Sequence, residues 1–354
     1  MRPFLSLLSL LFLSTGCLPS SQKQNTRALT PSDSLSRDLA TTVPVDTLEF
    51  VWQAEAPEAT PFEFPTSIAW LPDSLGGPIA VADTRAGGLH VLSGEGDYVG
   101  WQHPAGLQFP YLAGQRADTL VVFSRGPSRL DFLVDGRIMR QVDLPDDGFS
   151  AATVTDSALY VKRADEEEMF IARLTEDGQL AERYDLVGPN WRHFGFLRPH
   201  GDAVLSLSGY RPVVDVLRPT TPSGTTLDTL ALAGFDSPQF VRSFQFLTGE
   251  IDEPPLLTSA AVSLGDRLVV INLRVEQIRL DVYGPDGRSG FRLERALVYP
   301  DMAAVADVFP ADLAVHEDAE GWRIVLLMQR PGGVLSRSGG RVLMLRWVNQ
   351  AREA

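Results

Sequence analysis

The sequence predicts an all-β chain built from repeated four-stranded antiparallel units that close into a ring. Three observations predict it: two recurring marker pairs, four short strand candidates between markers, and a lone strand placed to complete the last unit. The first marker is Phe followed by Pro or a small residue ahead of an apolar strand: Phe64-Pro65, Phe109-Pro110, Phe149-Ser150, Phe194-Gly195 and Phe309-Pro310. The second is a tight-turn pair: Glu95-Gly96, Asp135-Gly136, Asp177-Gly178, Ser223-Gly224 and Asp286-Gly287. Its glycines stand 40, 42, 46 and 63 residues apart. Glycine supplies the positive φ that a two-residue hairpin turn requires.

Taken from the N-terminus, Arg2 precedes an apolar run from Phe4 to Leu13, and Ser14, Thr15 and Gly16 lead to Cys17. This is the layout of a cleaved secretory leader over residues 1–16, and the run is too short to span a bilayer. Residues 18–45 are rich in Ser and Thr, hold three prolines and show no sustained apolar period, so a flexible tether is expected. A strand, TLEFVWQAE at 47–55, comes next. Six units then follow, at roughly 64–102, 109–145, 149–188, 194–234, 256–298 and 309–348. The first offers TSIAWL, PIAVAD, LHVLS and DYVGWQ; the fifth offers LTSAAVSL, RLVVINL, IRLDVYG and GFRLERAL. The last has only three strands, DLAVHE, WRIVLLMQ and RVLMLRWV. Pairing 47–55 with it closes the ring and covers two sheet edges. Helical periodicity is nearly absent, and 235–255 is too short to add a seventh unit. The expectation is a six-bladed β-propeller over 46–350.

Charge and cysteine content narrow the function classes. Net charge is −14, or −15 without Arg2, which argues against nucleic acid and against charge-driven adhesion to anionic lipid. Cys17 is the sole cysteine, so a domain that uses it as an anchor has no disulfide, metal thiolate or cysteine nucleophile. The inner-strand candidates carry few metal-ligating groups beyond His200, Asp312 and His316. A calcium site wants several carboxylates, so no metal and no cofactor is expected. The densest polar group is HFGFLRPHGD, with His193, Arg198, His200 and Asp202; it reads as an acid–base site or as ordinary strand and turn polarity.

One feature recurs with the units. An arginine follows each second strand: Arg85, Arg125, Arg163, Arg211, Arg274 and Arg330. A ring of guanidinium forks would hold carboxylate, sulfate or phosphate groups. The same repetition would arise if each arginine staples a neighbouring unit. The 235–255 segment belongs to the same end and carries Phe240, Arg242 and Phe244, which suit either a recognition loop or a plug over the channel. The loop 331–340 is glycine-rich.

Two resemblances add to this. Leu13-Ser14-Thr15-Gly16-Cys17 resembles the bacterial lipobox, which implies lipid on Cys17 and a membrane-anchored chain. Leu18 after the cysteine, where Asp often retains lipoproteins at the inner membrane, implies the outer membrane. IAVADTRAGGLHVLSGEGDYV resembles a blade of the NHL-type six-bladed propellers found among bacterial surface lipoproteins. That family hosts binding proteins and enzymes alike. The expected function is an envelope binding module for a protein or an anionic small molecule. The alternative is a lactonase- or lyase-like enzyme working in the central channel.

Overall fold

The computed structural model describes residues 34–71, 79–220, 224–275, 277–286, 290–301, 307–330 and 339–348. Cys17, the leader and the loop 331–338 lie outside them. The described chain starts with helix α1 (Ser34–Thr42) and strands β1 (Val45–Thr47) and β2 (Glu49–Ala54). Five four-stranded meanders follow. They are β3 (Pro65–Trp70) to β6 (Tyr98–Gln102), through β4 (Ile79–Asp83) and β5 (Gly88–Leu92); then β7 (Pro110–Arg116), β8 (Thr119–Ser124), β9 (Arg129–Val134) and β10 (Arg137–Asp143). Next come β11 (Phe149–Val154), β12 (Leu159–Ala164), β13 (Met169–Leu174) and β14 (Leu180–Asp185). The fourth is β15 (Leu197–His200), β16 (Ala203–Leu207), β17 (Val213–Thr220) and β18 (Gly224–Ala233); the fifth is β19 (Thr258–Leu264), β20 (Arg267–Asn272), β21 (Ile278–Asp286) and β22 (Gly290–Tyr299). A last group has three strands, β23 (Phe309–Glu317), β24 (Gly321–Gln329) and β25 (Gly340–Val348). Helix α2 (Phe240–Thr248) lies between the fourth and fifth meanders.

The lone early strand does complete the last group. β2 pairs antiparallel with β25, from Glu49 opposite Arg346 to Ala54 opposite Val342, in the order β2-β25-β24-β23. The turn pairs behave as their glycines require where they are described: Gly96, Gly136 and Gly178 have φ of 91°, 70° and 86°. Ser223 and Gly287 lie outside the described residues.

Sequence alternation explains which strands face water. Every position of β4 and β5 is buried, and both are apolar apart from Asp83 and His90. The outermost β10 and β14 are mostly exposed and carry the charged residues. Buried side chains fall into clusters that each bridge two consecutive meanders. Val121, Phe123 and Phe132 meet Phe149, Val161 and Phe170; Leu205 and Val216 meet Val270 and Tyr283. One such cluster joins the last group to the first, through Val325, Leu327 and Met344 against Ile68, Ile79 and Val81. The inner strands β3, β7, β11, β15, β19 and β23 touch in that order, and β23 touches β3. Each buried Leu, Ile, Val or Phe contributes about 1.5–3 kcal/mol, so the clusters between meanders hold the sheets to each other.

Three features depart from expectation. The sheets of the fourth and fifth meanders are not separate: β18 and β22 are both ten residues long, and their ends pair in parallel at Leu232–Phe291 and Ala233–Arg292. With β1 added to β22 through Val45–Ala296, they count as one nine-stranded sheet beside four of four strands. Within the tether expected over 18–45, Ser34–Thr42 is a helix, and its Leu39 is buried against the junction of these meanders. In the sequence Leu35, Leu39 and Val43 stand at i, i+4 and i+8, and the helix is only nine residues long. Helix α2 is the third departure. It ends at Gly249 in the left-handed conformation (φ 79°), whose N–H caps the Gln245 and Phe246 carbonyls.

Candidate functional site

Antiparallel order places every turn between second and third strands at the end where fourth strands leave for the next meander. Arg85, Arg125, Arg211, Arg274 and Arg330 sit on these turns, and Arg163 is the penultimate residue of β12 beside one. Arg125 N–H donates to the Phe109 carbonyl at 3.3 Å, and the Arg85 guanidinium lies 5.6 Å from the Phe64 ring centroid. Arg163 is held by Asp146 and Asp165, both at 2.5 Å, and by Glu168 at 3.0 Å. Arg274 donates to the Asp236 carbonyl at 2.9 Å and pairs with its carboxylate at 3.2 Å. Arg330 pairs with Asp307 at 3.0 Å. Arg163, Arg274 and Arg330 therefore staple the turn to the connection from the preceding meander. Arg125 is exposed and has no ion pair among the described residues, and the same holds for Arg242 on α2. Arg211 is half-buried; burial, helped by the nearby charge of Arg192, pulls it down to about 10.

Exposed apolar groups share this end. Phe109, Val187, Phe194, Val241, Phe244, Leu256 and Val275 all lie on its turns and connections. Of the insert's aromatics, Phe244 is 59% exposed, Phe240 is half-buried, and Phe235 and Phe246 are buried. Phe246 meets Trp191 edge-on at 5.2 Å. The helix is thus fixed by one aromatic and presents another.

Beneath this end runs a row of buried polar staples that sequence reading missed. Arg129-Leu130-Asp131 on β9 and Arg279-Leu280-Asp281 on β21 repeat one motif. In each, the arginine Nε donates to the aspartate two residues on, at 2.9 and 2.6 Å. The last residue of the preceding strand donates too: Ser124 Oγ to Asp131, and Asn272 Nδ2 to Asp281 at 2.7 Å. The repeated R-L-D triplet was the available clue. Elsewhere Asp215 takes Arg192 at 2.7 Å and stands 3.3 Å from His193. Burial would raise Asp215, but His193, Arg192 and Thr229 together hold it below the usual carboxylate range.

The central channel holds one linking pair. Arg198 Nη2 on β15 donates to Asp312 Oδ1 on β23 at 2.7 Å, and Arg198 Nε donates to the Ala261 carbonyl at 3.3 Å. Asp312 also accepts the Ile68 and Leu313 N–H groups at 3.0 and 2.9 Å. Burial still pushes its carboxyl up, against the pull of Arg198. The HFGFLRPHGD group does not converge. His193 faces Asp215, Arg198 faces Asp312, His200 Nδ1 lies 3.0 Å from Ser263 Oγ, and Asp202 is exposed. Among the described residues no three His, Cys, Asp or Glu side chains stand close enough to hold a metal ion.

No family model matches the sequence, and no curated protein matches it. Solved structures do resemble the fold. A streptogramin B lyase aligns over 84% of this chain and 88% of its own, with 13% identity and a TM-score of 0.51. A catalytically inactive virginiamycin B lyase from Staphylococcus aureus, solved with quinupristin, aligns over 85% and 100%, with 13% identity and a TM-score of 0.52. An exported protein of Bacteroides fragilis aligns over 87% and 100%, with 10% identity and a TM-score of 0.51. At such identity the likeness is one of fold: this chain has the architecture of a β-propeller.

Proposed function

We propose that the chain is a six-bladed, NHL-like propeller, anchored by lipid on Cys17 at the outer membrane and acting as a binding module of the cell envelope. The cyclic contact order of the six inner strands supports the blade count. The observation that carries the binding reading is the gathering of exposed apolar side chains and uncommitted arginines at one end. Phe109 and Arg125 mark one side of it; Val241, Arg242 and Phe244 mark another. Arg163, Arg274 and Arg330 stiffen the turns, while Arg125 is positioned for a protein or small-molecule carboxylate or phosphate. The alternative, a lactonase- or lyase-like enzyme in the channel, draws on fold alone, and the channel's Arg198 and Asp312 already satisfy each other.

Photo-crosslinking in intact cells tests the binding reading. A photoreactive residue at position 109 or 125 should give a discrete adduct, and one at 99 or 139 on the outermost strands should not. Charge reversal, Arg125→Glu, should reduce the adduct formed from 109. Equal adducts from both sets of positions, or none from 109 and 125, would overturn it.

A further inference from the structure

Exposed apolar side chains gather on α2 and on the connections tied to it. Trp191 on Phe246 ties the 190–193 turn to the helix, and Leu256 and the Phe194 backbone both pack at Gly209. Val187 accepts from Arg192 and His193 in the same turn. On this patch Val187, Phe194, Val241, Phe244 and Leu256 are exposed, Val241 by 70%. Val241 and Phe244 are i and i+3 on one helical face, with Arg242 beside them.

Helix α1, the first described element, lies next to the base of α2. Leu39 of α1 lies against Gly234, 3.2 Å from where a Cβ there would stand, and Gly234 immediately precedes the segment that bears α2. Val43 packs into the cluster that holds Phe235 and Phe240. Cys17 is 17 residues before Ser34, a span of at most ~60 Å. A lipid on Cys17 keeps the base of α2 within that reach of a bilayer, where weak apolar contact is amplified by high effective concentration.

We propose that the α2 patch is a second membrane contact, which docks on the zwitterionic surface of the bilayer that holds the Cys17 lipid. The proposal rests on the lipid-anchor reading above. Val241 and Phe244 enter the interface as the apolar face of a helix lying in it, and Arg242 meets lipid phosphate. Glu250, Asp252 and Glu253, all exposed just after α2, disfavour an anionic surface. Docking by this edge takes Val241, Arg242 and Phe244 out of the ligand surface and leaves Phe109 and Arg125 for a ligand at the membrane surface.

The mature chain has no thiol besides Cys17, so Phe244→Cys or Met139→Cys each accepts a single nitroxide once Cys17 carries lipid. Position 139, on β10 and 68% exposed, is the aqueous control. The test uses the full chain, processed in a bacterial host and placed in phosphatidylcholine vesicles. Collision rates with oxygen and with a water-soluble nickel chelate are then compared. The proposal expects an oxygen-to-nickel ratio several-fold higher at 244 than at 139. Equal ratios in vesicle-bound protein overturn the docking and leave the anchor standing. Spin–spin broadening at 244 that vanishes on dilution with unlabelled chain assigns the patch to a second copy and also overturns it. Protein that fails to float with the vesicles or to partition into detergent overturns the anchor, and the docking with it.

Discussion

Lys162→Met should make the domain more stable at neutral pH, although it removes a hydrogen bond. Lys162 on β12 is fully buried, and its Nζ has one acceptor, the Gly195 carbonyl at 3.3 Å. Burial pulls its pKa from 10.5 to about 8; Asp215 opposes the fall and Arg192 adds to it. Each tenfold loss of proton affinity corresponds to about 1.4 kcal/mol, so keeping the charged amine inside costs about 3 kcal/mol below pH 8. Methionine fills a similar volume and carries no charge. It leaves the Gly195 carbonyl without that donor, a loss of about 1 kcal/mol. The net gain is about 2 kcal/mol at pH 7, or a rise in Tm of about 4 °C for a domain of this size. The unfolded lysine keeps its proton up to pH 10.5, while the folded one releases it above about 8. Between those values the unfolded state binds more protons, and wild-type stability recovers as pH rises. The variant's advantage should therefore shrink from pH 8 to 10.5. Calorimetry or urea melts across pH 6 to 10.5 check this. A variant less stable at pH 7, or a difference that does not move with pH, would refute the reasoning.

Other substitutions separate the roles assigned above. Asp312→Ala should destabilise by about 3–5 kcal/mol, since it strands Arg198 and removes the acceptor for Ile68 and Leu313 N–H; an unchanged urea midpoint would contradict a linking role across the channel. Arg163→Ala should lower the midpoint measurably, by about 1 kcal/mol, because four carboxylates lose their shared partner. Arg125→Ala should stay within about 0.5 kcal/mol of wild type, and the reverse order of these two effects would exchange their structural and binding assignments.

What the sequence made legible follows from how local each signal is. The turn glycines and short apolar runs are local, so unit boundaries such as 64–102 and 256–298 agree with β3–β6 and β19–β22 to within a few residues. The closing role of 47–55 was readable because an incomplete meander leaves a defined edge for β25. The position of each arginine was readable for the same reason, but its partner was not. Asp146, Asp236 and Asp307 come from the preceding connection, and nothing local marks them as receivers. The Arg198–Asp312 pair spans 114 residues and exists only because the ring brings β15 and β23 together. Helices α1 and α2 escaped notice because nine residues give barely two turns of periodicity, and both are held by packing, at Leu39 and Phe246.

The central claim is that a propeller is tethered to a membrane through Cys17, and intact mass spectrometry of the protein extracted from its native envelope tests it most directly. The account predicts a chain that begins at Cys17 and carries the added mass of acyl chains on that residue. A chain that begins elsewhere, or an unmodified thiol at Cys17, would contradict it.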